Sequence, residues 1–170
     1  MTMEQLDKTC RHTISLFVAN KPGVLLRICL VFSRRGFNIE SLVVSPAIDG
    51  RFSRMTITAQ GDAQTLDQII RQCAKLVDVV HASAHAPEDA IEKEFALLKV
   101  TMPPEKRVEI LQIIQHVEGH LLDFSAGTVV FSLVGKTETL DNCIELLRPY
   151  GITEMVRSGK MVITKGATDV

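Results

Sequence analysis

A length of 170 residues leaves room for one ordinary domain or two small ones, and 46% hydrophobic with 23% charged residues describes a folded chain. A net charge of −1, with seven Phe, one Tyr and no Trp, excludes a basic footprint for nucleic acid or an anionic membrane and offers no stacking platform for single strands. No stretch approaches the roughly 18 apolar residues of a membrane helix, and Met1 to Arg11 lacks the apolar core of a signal peptide.

In chain order, His12 to Ala19 alternates as a strand. Asn20-Lys21-Pro22-Gly23-Val24-Leu25-Leu26 then marks the passage from strand to helix. Pro22 suits a first helical position, where its missing N–H costs nothing, and Lys21 before it is pushed toward extended backbone. Gly23, without a Cβ, lets a ligand come close, and the amides of Gly23, Val24 and Leu25 face out of a helix start that favours anions. Val24, Leu25, Ile28, Cys29, Val31 and Phe32 recur at helical spacing, with Arg27 and Arg34 as a solvated stripe opposite, and Gly36 ends the helix. Phe37 to Val44 reads as a second strand and Pro46 to Gly50 as a loop. In the third strand, Phe52 to Ala59, Met55, Ile57 and Ala59 face one way while Arg54, Thr56 and Thr58 face the other.

Asp62 is a natural N-cap for a second helix carrying Leu66, Ile69, Ile70, Cys73 and Leu76, and Val77 to Ala84 completes a fourth strand. The order β-α-β-β-α-β predicts an α+β fold of ferredoxin-like type, one antiparallel sheet with both helices on one face. A polar segment, 86–93, reads as a linker. Beyond it the pattern begins again: Met55 to Ile70 lines up with Val129 to Ile144 at a fixed offset, bringing Gly61 onto Gly135 and Thr65-Leu66-Asp67 onto Thr139-Leu140-Asp141. Leu16, Val18 and Pro22 fall on Leu98, Val100 and Pro104 at a larger offset, which implies a shorter second hairpin around Ala126-Gly127. The expectation is two tandem ferredoxin-like units, 11–85 and 94–166.

The repeat is an internal control. Where the first unit has Asn20 and Gly23 the second has Met102 and Glu105, and Asn38 aligns near Leu121 or Leu122. Asn20 ends strand one and Asn38 begins strand two, and on this reading the intervening helix brings both to the same edge of the sheet. Two amides beside a helix start would suit a carboxylate together with an ammonium group; alternatively both asparagines only shape turns. Other chemistries find little support. His81 and His85 share a strand face with no Cys or carboxylate at ligand spacing, and His116 and His120 bracket a helix end. No nucleophile elbow, phosphate loop or dinucleotide fingerprint is present, so no catalytic site is expected. Cys10, Cys29, Cys73 and Cys143 are scattered with no C-x-x-C pair, which fits a reduced, cytoplasmic protein.

The motifs Asn20-Lys21-Pro22-Gly23-Val24-Leu25, Phe32-Ser33-Arg34-Arg35-Gly36-Phe37-Asn38-Ile39-Glu40-Ser41-Leu42 and Ser53-Arg54-Met55-Thr56-Ile57, with Ala96-Leu97-Leu98-Lys99-Val100 later, resemble the regulatory (small) subunits of acetolactate synthase, or acetohydroxyacid synthase. The resemblance implies an ACT domain at the N-terminus, a ferredoxin-like C-terminal domain and a role in branched-chain amino-acid biosynthesis. It also implies a homodimer through the ACT domains and a catalytic large subunit as partner, activated by this chain and feedback-inhibited by valine or a related amino acid. The effector would lie at the ACT dimer interface, with Asn20, Gly23, Val24 and Leu25 as one wall and Asn38 and Ile39 from the facing subunit. Cofactors (thiamine diphosphate, Mg and FAD) would belong to the catalytic subunit and none to this chain. The rival reading is a tandem-ACT amino-acid sensor with no synthase partner. Which branched-chain amino acid binds stays open.

Overall fold

The computed structural model describes residues 10–85 and 89–166. Its contacts divide the chain into two compact units: the first runs to Glu92 and regains the chain from Gly159 onward, and the second is Lys93–Ser158. The first unit contains β1 (Cys10–Ala19), α1 (Val24–Arg34), β2 (Asn38–Pro46), β3 (Phe52–Gly61), α2 (Ala63–Cys73) and β4 (Val79–Ala84). Its strands lie in the order β2-β3-β1-β4, every neighbouring pair antiparallel. This is the ferredoxin-like order expected from the pattern.

Alternation and helical spacing meet in one core. Ile14, Leu16 and Val18 of β1 and Met55, Ile57 and Ala59 of β3 are buried together with Val24, Ile28 and Phe32 of α1 and Leu66, Ile69 and Cys73 of α2. Each large apolar side chain here contributes roughly 1.5–3 kcal/mol by leaving water. The other sheet face departs from expectation: Thr13, Thr56 and Thr58 are buried there too. Part of the cover is the returning segment, since a Cβ on Gly159 would fall 2.5 Å from that of Ser41, which pairs with Thr58.

The second unit holds most of β5 (Ala90–Thr101), then α3 (Arg107–His116), β6 (His120–Ser125), β7 (Thr128–Gly135), α4 (Thr137–Leu147) and β8 (Ile152–Arg157). Its strand order, β6-β7-β5-β8, reproduces that of the first unit. Ala96, Leu98, Val100, Ile110, Ile114, Phe131, Leu133, Leu140 and Leu147 form its core. A ninth strand, β9 (Met161–Thr164), follows Gly159; near it Lys160 pairs with Glu92 at 2.7 Å and the Lys165 amide donates to the Asp89 carbonyl at 2.9 Å. Residues 90–93, expected in the linker, are therefore strand, because β9 supplies a partner the local sequence does not announce. The middle of that linker, 86–88, lies outside the described residues.

The repeat needs one correction. Leu16 pairs with Met55 and Leu98 with Phe131, so the ladders match Met55 to Phe131 and Ala59 to Gly135, not to Val129 and Leu133. The earlier offset holds only from α2 and α4 onward, where Leu66 and Leu140 occupy equivalent buried places. β3 is two residues longer than β7, and gap-free sequence matching hid that insertion. The edge strands differ as well: Asn38 pairs with Gln60 near the end of β3, whereas β6 begins only at His120, opposite Ser132.

Candidate functional site

The strand-to-helix passage is built differently from its prediction in one respect. Pro22 and Gly23 form a turn and the helix begins at Val24, so Pro22 is not its first residue. Gly23 is the N-cap with φ of 84°, the left-handed region where a side chain is strained. A Cβ there would meet only the Arg27 guanidinium at 3.6 Å, an ordinary contact. Glycine is thus required here by backbone conformation rather than by crowding within the chain.

The helix start is open. α1 has no side-chain cap and no acidic residue in its first turn, while α2 is capped by Asp62, whose carboxylate accepts from the Thr65 amide at 2.8 Å. That hydrogen bond holds the Asp62 carboxyl below its ordinary value. First-turn amides lack intrahelical acceptors, and the helix dipole adds partial positive charge, so an uncapped start favours a carboxylate. Val24 is buried beneath it, Leu25 is 40% exposed and Leu26 is 64% exposed, which lines the approach with aliphatic surface.

Two ties hold the loop. On one side the Asn20 backbone amide donates to the Arg51 carbonyl at 2.8 Å, and its side-chain amide donates to the Gly50 carbonyl at 2.9 Å. On the other, the Ala19 amide donates to the Asp78 carbonyl at 2.8 Å, and the Arg27 guanidinium pairs with the Asp78 carboxylate. Arg27, expected as part of a solvated stripe, is therefore engaged. Arg51 and Asp78 carry no signal of their own in the sequence; the loop from Pro46 to Gly50 is the one hint of this tie.

Asn20 and Asn38 do not share a sheet edge within one chain. β1 and β2 are both antiparallel to β3 and hence parallel to each other. The helix carries the chain back to where β1 began, so Asn38 lies beside Gln60 and level with Arg11, roughly 30 Å along the strands from Asn20 at about 3.3 Å per residue. Asn38 is exposed there and Ile39 half-buried, beside a groove lined by Cys29, Phe32, Ser33, Gly36 and Phe37. Asn20, Gly23, Val24 and Leu25 come together; Asn38 and Ile39 form a second locus at the opposite end of the sheet, on its edge strand β2.

Elsewhere, polar side chains serve the scaffold. Buried Glu94 accepts from Thr137 Oγ1 at 2.6 Å and from Arg157 Nε at 3.1 Å, and Arg157 also pairs with Asp141 at 2.6 Å. This clamp fastens α4 to β5 and β8. Burial pushes the thiols of Cys73 and Cys143 up to about 11, which keeps both unreactive near neutral pH. Burial, with His81 nearby, moves the His85 imidazole below its ordinary value, against the pull of Glu92. Among the described residues no three His, Cys, Asp or Glu side chains gather as a metal site, and no helix is long and apolar enough to cross a membrane.

The comparisons agree across both units. Residues 14–81 match the family described as the AHAS small subunit-like ACT domain, and residues 93–166 match the family described as the small subunit of acetolactate synthase. A probable acetolactate synthase small subunit of Archaeoglobus fulgidus is 39% identical over 156 residues, covering 92% of this chain and 98% of that one. An acetolactate synthase small subunit of Mycolicibacterium smegmatis is 35% identical, covering 93% of each chain. The crystal structure of the acetolactate synthase small subunit from Thermotoga maritima superposes with a TM-score of 0.84 at 33% identity, over 94% of this chain and 99% of that one. An ACT unit and a second ferredoxin-like unit in one chain, matched over almost its whole length, place this protein in the family of acetolactate synthase regulatory small subunits.

Proposed function

We propose that this chain binds valine, or a closely related branched-chain amino acid, at the start of α1 and thereby sets the activity of the catalytic subunit of acetolactate synthase. It raises that subunit's activity when the site is empty and lowers it when the site is filled. It does no chemistry itself, and thiamine diphosphate, Mg and FAD belong to its partner. The observation that carries the reading is the open helix start: a left-handed Gly23, no capping side chain and no first-turn acid, with the Asn20 amide alongside. First-turn amides suit the effector's carboxylate, the Asn20 amide oxygen suits its ammonium group, and Leu25 offers an aliphatic contact.

The site is completed by a second copy. β2 lies at the edge of its sheet, so its outer backbone groups are open to another strand. If two β2 strands pair about a two-fold axis, they run antiparallel, and the partner's β2 begins where this chain's β2 ends. That reversal carries a second Asn38 and Ile39 to the Asn20–Gly23 end, across the distance that separates them within one chain. Leu26 and Leu30, 64% and 42% exposed on α1, give such a dimer apolar surface to bury. Feedback then needs only that valine bind more tightly to the arrangement with low catalytic activity.

Titration of valine by calorimetry into the wild type and Gly23→Asp tests the site. A carboxylate forced into a left-handed position in front of the first-turn amides should weaken binding at least about a hundredfold. Equal affinity in the two proteins removes the site assignment. Reconstitution with the catalytic subunit, assayed with valine, leucine and isoleucine in turn, identifies the effector.

A further inference from the structure

Beside the effector loop, on the sheet face away from the helices, lies a cluster of different chemistry. Phe17 and Phe52 stack with ring centroids 5.0 Å apart. The Arg54 guanidinium sits 5.5 Å from the Phe17 centroid and that of Arg51 sits 5.8 Å from the Phe52 centroid. Both arginines are exposed and both rings are half-exposed, while Ile48 at the hairpin tip is fully exposed. Asp49 offsets one of the two cations, pairing with Arg51 at 2.8 Å. The cluster is therefore net positive on a chain whose total charge is −1.

The repeat tests whether the fold needs this cluster. In the second unit the ladder position of Phe17 and Arg54 holds Lys99 and Val130, and that of Ala19 and Phe52 holds Thr101 and Thr128. The hairpin tip there shrinks to Ala126-Gly127. The same sheet thus forms without the rings, the arginines or the longer tip. Stacked aromatics with arginine are the residues that dominate binding energy at protein interfaces.

We propose that Phe17, Phe52, Arg51 and Arg54, with Ile48 at the tip, are the surface by which this chain docks on an acid-rimmed apolar patch of the catalytic subunit. The proposal rests on the regulatory reading above. It chooses this occupant for two reasons. The hairpin is bonded directly to the effector loop through Asn20, which donates to the carbonyls of Arg51 and Gly50, so a ligand that draws the Asn20 amide away alters the surface itself. A second copy of this chain, by contrast, is served by the β2 edge, whereas Phe17 and Arg54 lie on the inner strands β1 and β3.

The test uses the full chain and the intact catalytic subunit. The double variant Phe17→Ala/Arg54→Glu removes one ring and reverses one charge of the surface without touching the buried core or the hairpin bonds that hold Asn20. It should bind the catalytic subunit at least about tenfold more weakly, while valine affinity by calorimetry and self-association by light scattering match the wild type. Lys99→Glu, at the equivalent ladder position of the second unit, should leave all three unchanged. Catalytic-subunit binding within about twofold of wild type in the double variant overturns the proposal, as does loss of self-association with that binding kept. Absence of valine binding in the wild type would instead remove the effector reading, while the docking measurement stands. Hydrogen exchange across 47–52 should change on adding valine, with 126–127 unaffected; an unchanged hairpin removes the role given to Asn20.

Discussion

The two units solve the same packing problem and differ where packing is not at stake. Both bury alternate residues of a central strand against two helices, and both end the first helix with the same backbone bonds: Phe37 N to Phe32 O in one, Gly119 N to Ile114 O in the other. They part at the start of that helix. The first unit presents Asn20, a left-handed Gly23 and uncapped amides; the second has buried Met102 followed by Pro103 and Pro104, which have no amide to offer, and then Glu105. A proline-rich, acidic approach disfavours an anion, which the uncapped first helix start favours. The ferredoxin-like frame therefore does not require Asn20 or Gly23, which is what the proposed effector site predicts of residues peculiar to the first unit.

The largest way to break this comparison lies in the clamp. Glu94 stands at the ladder position of His12, which makes only a 3.1 Å contact from its ring to the Gly61 carbonyl. Arg157→Ala should leave Glu94 buried without its main cation and cost about 3–5 kcal/mol, read as a shift of the urea midpoint. His12→Ala should cost no more than about 1–2 kcal/mol. Equal losses would mean that the two positions carry the same burden. A smaller effect of opposite sign is expected at the first-helix end. Glu118 adopts φ of 57° where the first unit has Gly36 at 70°. Glu118→Gly should raise stability by about 0.5–1 kcal/mol, and thermal unfolding checks it.

The smallest effect concerns the caps. The Asp62 carboxyl is lowered chiefly by its bond from the Thr65 amide. A lowered folded value contributes stability that is present above the unfolded value and lost as pH falls through the folded one. Acid unfolding followed below about pH 4 should therefore be shallower in Asp62→Asn, which keeps the cap and removes the titration. No such change is expected from Lys136→Asn, since α4 has no side-chain cap.

Much of this was legible in the residues. Period-two and helical spacings depend on local backbone geometry, so strands, helices and core positions such as Ile14, Ile57, Phe32 and Leu140 could be read directly. Asp62 was recognisable as a cap because its function is spent within one turn. The strand-to-helix loop stood out because Asn20 and Gly23 interrupt a pattern that the second unit keeps. What failed was longer in range. The register of β3 against β7 was misread because matching residues to residues cannot see a two-residue extension that the ladder absorbs. β9 and its pairing with the start of β5 were missed because Met161–Thr164 finds its partner far away in sequence.

The chain by itself thus determined the two repeated units, the buried stripe of each element and the unusual character of Asn20 to Leu25, all consequences of local geometry and side-chain type. Tertiary structure decided where those features point. Antiparallel pairing of β1 and β2 with a common neighbour set Asn20 and Asn38 at opposite ends of one sheet, which makes a partner chain necessary if both are to hold one ligand. The hairpin's fold gave the Asn20 amide its acceptor at Gly50. Strand direction and long-range hydrogen bonds arise only when distant segments meet, and no periodicity within either segment encodes them.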